Sequence, residues 1–383
     1  MRISQRMGAA RPLATTAMHG RVEALKSQGE ELIDFSIAIS HFPAPAVVRE
    51  RVAQALLMPA LPYTAVGGAL ALRQTLAAKV GADNRIDASA DEIIVTNGAK
   101  QALYEALYAL TDPGDTVIVL RPYWPAYLAT AELLKLKVVL VDLPARLDAA
   151  FVAGLPDARI LIVNNPHNPT GQVLQRAELA RLCAWMGARG CQAIVDESYE
   201  KLLFQGEHVS MAACADWRAL GIVTLFSASQ SYAMMGWRCG FAVAPATVVQ
   251  AMETLQGPIT AAASALSQVA TEAAFASGEP RAMLEDYRRR RDLVLDWFGP
   301  VPWMRMARPD SGPYLWGDVS ALGVDTVAFA EQLLNEWRVA VMPGEALGVP
   351  GHIRIGYISD DLATLERGVR AIIAFGNALA RRA

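Results

Sequence analysis

The sequence predicts an α/β protein with a large domain, whose mostly parallel sheet is sandwiched by helices, and a smaller α+β domain. Three observations lead there. Short apolar runs rich in β-branched residues recur through the middle of the chain, helical patterns fill the intervals, and the alternation stops near Met283. At 383 residues the chain is also too long for one small core.

The strand-like runs are residues 93–95, 116–120, 138–141, 160–163, 193–195, 223–226 and 241–243. Continuous apolar runs of this length suit strands buried on both faces. Helical patterns lie between them, for example at 100–110 and 175–189. Beyond Met283 an amphipathic helix over 284–298 opens a segment with fewer strands, which a helix over 361–381 closes. The expected division is a large domain over 46–284, with residues 1–45 and 285–383 forming the smaller one. The run Arg288 to Arg291, beside Glu285 and Asp286, reads as a solvated helix face rather than an anion site.

Bulk properties narrow the function classes. Charged residues make up 19% of the chain and the net charge is -3, which argues against a nucleic-acid or anionic-membrane partner. The hydrophobic fraction is 53%, but no uninterrupted run is long enough to span a bilayer. The first 25 residues lack the apolar segment of a secretory signal. Cys183, Cys191, Cys214 and Cys239 show neither metal-ligand nor disulfide-framework spacing, so a reducing cytoplasm is the expected location.

Chemistry-bearing motifs cluster after the strand runs. Thr96-Asn97-Gly98-Ala99-Lys100 follows a strand and opens a helix, a place where backbone N–H groups can cradle a phosphate. Taken alone, this would read as a plain tight turn. Arg121-Pro122-Tyr123-Trp124 ends the next strand with a flat aromatic that can stack on a planar ring. Asn164-Asn165-Pro166-His167-Asn168-Pro169-Thr170-Gly171 and Asp196-Glu197-Ser198-Tyr199 each follow another strand. His167 reads as a loop residue. Ser227-Ala228-Ser229-Gln230 precedes Gly236-Trp237-Arg238-Cys239-Gly240, with hydroxyl and guanidinium donors for a phosphate.

In this order the motifs resemble those of fold-type I pyridoxal phosphate-dependent aminotransferases of class I/II, similar to aspartate aminotransferase, over essentially the whole chain. The resemblance implies pyridoxal 5'-phosphate with its phosphate held by Gly98, Ala99, Lys100, Ser227, Ser229 and Arg238. Trp124 would lie against the pyridine ring, Asp196 would pair with the ring nitrogen, and Asn168 and Tyr199 would bond the phenolic oxygen. Arg354, in His352-Ile353-Arg354, would grip the substrate α-carboxylate beside Asn168 and Ala38. Tyr63, ahead of Gly67-Gly68, would reach the phosphate of a neighbouring subunit, which implies a homodimer.

The chain departs from the family pattern at three places. Gln230 stands where the family has the lysine that forms the Schiff base and moves the α-proton. An amide nitrogen is neither nucleophilic nor basic near neutral pH. Ala38 replaces a glycine in the segment that receives the substrate carboxylate, and 258–263 replaces a Ser- and Asn-rich loop near the dimer interface. No second arginine can be assigned to a side-chain carboxylate, so a neutral, bulky or aromatic amino acid is the mildly preferred substrate. Three readings remain open at this point. The chain is an aminotransferase inactivated by a lysine-to-glutamine change, made by hand or natural; or a lyase or β/γ-replacement enzyme on the same fold, with an S-adenosylmethionine-type substrate among the options; or a non-enzymatic ligand-binding relative. In the first reading the cofactor is held non-covalently or as its external aldimine with an amino acid.

Overall fold

The computed structural model describes residues 3, 7, 12–278 and 280–381. A helix at Ala14–Ser27 leads to the two-residue strand β1 (Ile33–Asp34). Helices Ala46–Leu56 and Leu70–Asn84 precede β2 (Ile93–Thr96). Helix Ala99–Leu110 then connects to β3 (Thr116–Arg121), and Ala126–Leu133 to β4 (Lys137–Asp142). Next come β5 (Ile160–Asn164), helix Arg176–Arg189, β6 (Gln192–Asp196), β7 (Ile222–Ser227) and β8 (Gly240–Val243). Helices Ala246–Thr260, Ala265–Ala276 and Arg281–Phe298 lead to β9 (Arg305–Met306) and β10 (Tyr314–Asp318). Helix Thr326–Trp337, the short strands β11 (Val339–Ala340) and β12 (Met342–Pro343), β13 (His352–Gly356) and helix Leu362–Ala380 complete the chain.

Seven strands form one sheet in the order β2-β8-β7-β6-β5-β3-β4. Strand β8 is antiparallel to both neighbours, and the other pairings are parallel. All seven coincide with the apolar runs read from the sequence. Every residue of β5, β7 and β8 is buried, as strands covered on both faces require. The edge strand β4 is only half-buried, with Lys137 and Asp142 exposed at its ends; charged ends discourage pairing with another chain. The register brings the carboxyl ends of the central strands together. Asn164 pairs with Asp196, and Gly240 lies opposite both Ser227 and Thr96. Side chains at these ends therefore share one rim of the sheet, where open α/β sheets bind ligands.

The C-terminal segment builds a four-stranded antiparallel sheet in the order β12-β13-β10-β9, while β1 pairs in parallel with β11. Its core gathers Phe35, Tyr287, Phe298, Leu315, Phe329, Ile355 and Phe375, and it also takes Tyr199 and Leu202 from the segment after β6. That shared packing joins the rim of the large sheet to the smaller one. Among the described residues no helix is long and apolar enough to cross a membrane.

Two expectations need correction. The arginine run is not a solvated face throughout, because Arg290 and Arg291 are buried while Arg288 and Arg289 are exposed. Arg290 donates to Asp286 Oδ2 at 2.5 Å and to the Asp360 carbonyl, while Arg291 bonds the Pro309 carbonyl and lies 4.6 Å from the Phe204 ring centroid. Those partners repay the burial of two cations, and all but Asp286 are too distant in sequence to be read from the run itself. The segment 258–263 is likewise not wholly a loop, since Pro258 sits within the last turn of helix Ala246–Thr260. The chain breaks only afterwards, where Ala261 takes a positive φ of 59°.

A candidate cofactor and substrate site

A cavity of about 410 Å3 opens at the sheet rim. Its first wall is a turn and a helix start. Gly98 holds φ 83° and ψ 164° and begins helix Ala99–Leu110, a conformation that is essentially glycine-only. A Cβ there would lie 2.5 Å from Arg238 Nη2, and one on Gly240 would lie 2.7 Å from the Ala99 nitrogen. The missing side chains bring the helix start, with its unpaired N–H groups, close to Arg238. Arg238 donates to the Asn97 and Met235 carbonyls at 3.3 and 3.0 Å, with Ser229 Oγ at 3.5 Å. The Ser229 N–H donates to Ser227 Oγ. Ala99, Lys100, Ser227, Ser229 and Arg238 all line the cavity. Two cations, hydroxyls and a helix N-terminus on one wall form an anion cradle.

The second wall fits a flat, weakly basic ring. Trp124 lies at a helix start, edge-on to Tyr127 with ring centroids 5.5 Å apart. Asp196, at the end of β6, is buried and accepts from Tyr127 Oη at 2.8 Å, Ser198 Oγ at 2.6 Å and the Ser198 N–H. Burial pushes its carboxyl above the usual carboxylate range, against the pull of these donors. Among the described residues no cation pairs with it. A buried carboxylate facing a cavity and lacking a counter-cation suits a ligand that brings a protonated nitrogen.

The third wall handles a carboxylate. Arg354, on β13, is buried beside Tyr314, its guanidinium 4.0 Å from that ring centroid. It donates to Asn168 Oδ1 at 3.2 Å and the Ser36 carbonyl at 2.8 Å, while its Nε has no partner among the described residues. Asn168 is held in turn by its own N–H, which donates to Asn164 Oδ1. Tyr199 is buried, packed edge-on against Tyr314.

Most residues singled out in the sequence converge here: Lys100, Trp124, Asn168, Asp196, Tyr199, Ser229, Gln230, Arg238 and Arg354 line the one cavity. Gln230 Oε1 is buried without a partner among the described residues. Three of the singled-out residues stand apart. Ala38 is buried in the smaller core, and its neighbour Ile37 lines the cavity instead. Gly98 shapes the cradle from behind. Tyr63 is 95% exposed and lies outside its own chain's cavity. His167 is buried off the cavity and bonds Thr170 Oγ1 at 2.8 Å, and burial holds its imidazole down to about 4. Sequence reading missed Tyr127, because its bond to Asp196 spans 69 positions. It also missed Thr15, Thr16 and His19, which helix Ala14–Ser27 presents to the cavity; their polar, irregular context carries no motif.

Comparison with known proteins shows the family. Residues 30–372 match the family model described as aminotransferase class I and II. The chain is 34% identical to an aspartate/prephenate aminotransferase of Thermus thermophilus, covering 99% of each protein. It is 36% identical to an arginine–pyruvate transaminase of Pseudomonas aeruginosa, covering 89% of each. Among solved structures, an aspartate aminotransferase from Thermus thermophilus with maleate superposes with a TM-score of 0.90 at 32% identity, over 99% of this chain and 100% of that one.

Proposed function

We propose, for a chain that belongs to the class I and II aminotransferase family, that the cavity binds pyridoxal 5'-phosphate together with an α-amino acid. We further propose that Gln230 leaves it without the amine an aminotransferase needs. The observation that carries this reading is the convergence of anion cradle, ring wall and carboxylate receiver around Gln230. The residues present suit the cofactor: the cradle has no room for a Cβ where a phosphate would approach, and Asp196 lacks a cation that a protonated pyridine would supply.

When bound, the cofactor supplies a ring that draws electron density from the substrate α-carbon. The protein does the rest. Asp196, buried and held by Tyr127 and Ser198, would keep a proton on the ring nitrogen. Tyr199 and Asn168 would hold the phenolic oxygen, and Trp124 would shield the ring from water. Arg354, with its unpartnered Nε, receives the α-carboxylate and orients the amino acid. Gln230 can donate or accept a hydrogen bond but can neither displace an amine nor move the α-proton.

The substrate side chain meets Thr15, Thr16, His19 and Ile37 at the mouth. Relatives of similar identity are named for aspartate and for arginine, and these side chains, which lie outside the cofactor walls, are the ones that set the choice of amino acid. We also propose a homodimer. Leu56, Leu57, Met58, Leu61 and Leu70 are exposed around Tyr63. A partner covering that apolar stretch would bring Tyr63 to its phosphate cradle. Titrating the protein with pyridoxal phosphate while following tryptophan fluorescence tests the cofactor assignment. Saturable quenching that Trp124→Phe removes supports it, and no binding in the presence or absence of amino acid refutes it.

A further inference from the structure

The cavity lacks a lysine at position 230, yet its wall still carries a primary amine. Of the six lysines in the chain, Lys100 alone lines it. Lys79 is buried outside, bound to Glu200 and to Asn84 Oδ1. Lys201 bonds Asp83 at 2.8 Å, and Lys26, Lys135 and Lys137 are exposed elsewhere. Lys100 Nζ lies 5.2 Å from the centroid of the Trp124 ring. No carboxylate among the described residues pairs with it, and the neighbouring charge is the Arg238 guanidinium. We infer that Lys100 captures carbonyl ligands covalently in this cavity, and that it takes the aldehyde of pyridoxal phosphate in place of the absent lysine.

Three features support the assignment. The amine follows directly on Ala99, in the first turn of the helix that forms the cradle, so a ligand whose phosphate sits there is anchored beside it. It lies over the aromatic ring that covers the ligand, which holds amine and carbonyl in one small volume and raises their effective concentration. Finally, partial burial and then the Arg238 charge hold its ammonium below the usual lysine range, so more of it is the free amine.

The step balances without a further reactant. The Nζ lone pair forms a bond to the aldehyde carbon, and the aldehyde oxygen leaves as water with both amine protons. No atom is oxidised or reduced. Because the new bond starts from residue 100 and not 230, it fixes the cofactor without restoring proton transfer at the substrate α-carbon.

This inference rests on the cofactor reading above, and one experiment separates the two. The full-length protein is equilibrated with pyridoxal phosphate, binding is followed by tryptophan fluorescence, and the mixture is reduced with borohydride and mapped by peptide mass spectrometry. We expect saturable binding and a pyridoxyl group on Lys100. Lys100→Arg, whose guanidinium cannot condense with an aldehyde, should lose the label. Saturable binding with no label, or with label spread over Lys26, Lys135 and Lys137, overturns the inference and leaves the cofactor reading intact. No binding by the parent protein overturns both.

Discussion

Replacing Gly98 by alanine tests the cradle through its backbone. The native φ of 83° with ψ of 164° is a conformation L-residues avoid, and imposing it costs roughly 1–3 kcal/mol of stability. The new Cβ would also sit 2.5 Å from Arg238 Nη2 and 3.2 Å from its Cζ. Those atoms are the far end of a flexible side chain, so Arg238 swings away and its bond to the Asn97 carbonyl is lost. A charge-assisted hydrogen bond to phosphate contributes about 1.5–3 kcal/mol. Phosphate and pyridoxal phosphate affinity should therefore fall by about ten- to a hundredfold. Isothermal titration with inorganic phosphate measures the cradle alone. Gly206→Ala is the control, because Gly206 also has a positive φ, 76°, but nothing lies within 4 Å of its Cβ position. It should lose stability without losing phosphate affinity. Unchanged phosphate affinity in Gly98→Ala, or an equal loss in both variants, refutes the cradle.

Other consequences can be checked in the same preparations. Glu105 is fully buried, its Oε2 has no partner among the described residues, and burial raises its carboxyl from 4.5 to about 7. The folded state thus binds an extra proton between those values, so this group's contribution is intact below pH 4.5 and is lost as the pH rises through 7, by about 3 kcal/mol. Glu105→Gln should remove that slope and be the more stable protein at pH 8 by roughly 2 kcal/mol, allowing for an orphaned amide; urea melts at pH 5 and 8 that shift in parallel would exclude it. With lysine restored at position 230, Asp196→Ala should lower turnover far more than His167→Ala, and equal losses would remove Asp196 from the ring nitrogen. Sedimentation should show a dimer, and Tyr63→Phe should weaken pyridoxal phosphate binding by about tenfold, one hydrogen bond's worth; a cofactor-competent monomer would contradict both.

The large sheet was legible in the sequence because its strands are buried on both faces, which leaves unbroken runs such as Ile160–Asn164 with nothing polar until the rim. The rim residues were legible for a related reason: Asn164, Asp196 and Ser227 end buried strands, where polarity stands out. The short strands of the smaller domain were not, since β9, β11 and β12 are two residues long and carry no periodicity. Long-range polar partners were equally hidden. Nothing in the arginine run says that Asp360 and Phe204 wait for Arg290 and Arg291, and nothing near Tyr127 names Asp196. The helix that lends Thr15, Thr16 and His19 to the cavity escaped because packing, not pattern, places it: of its residues Val22 alone is fully buried, against Leu334 and Ala340.

The measurement that bears most directly on the site is steady-state amino transfer by the chain with Gln230 beside its Gln230→Lys variant, across a panel of amino acids and keto acids. The glutamine chain should form no keto acid above background, because no group at position 230 can move the α-proton. The lysine variant should turn over and yield a borohydride-fixed pyridoxyl group on residue 230. Turnover by the glutamine chain at the rate of the lysine variant, or a lysine variant that binds no cofactor, would contradict the assignment of this cavity as an aminotransferase site missing one amine.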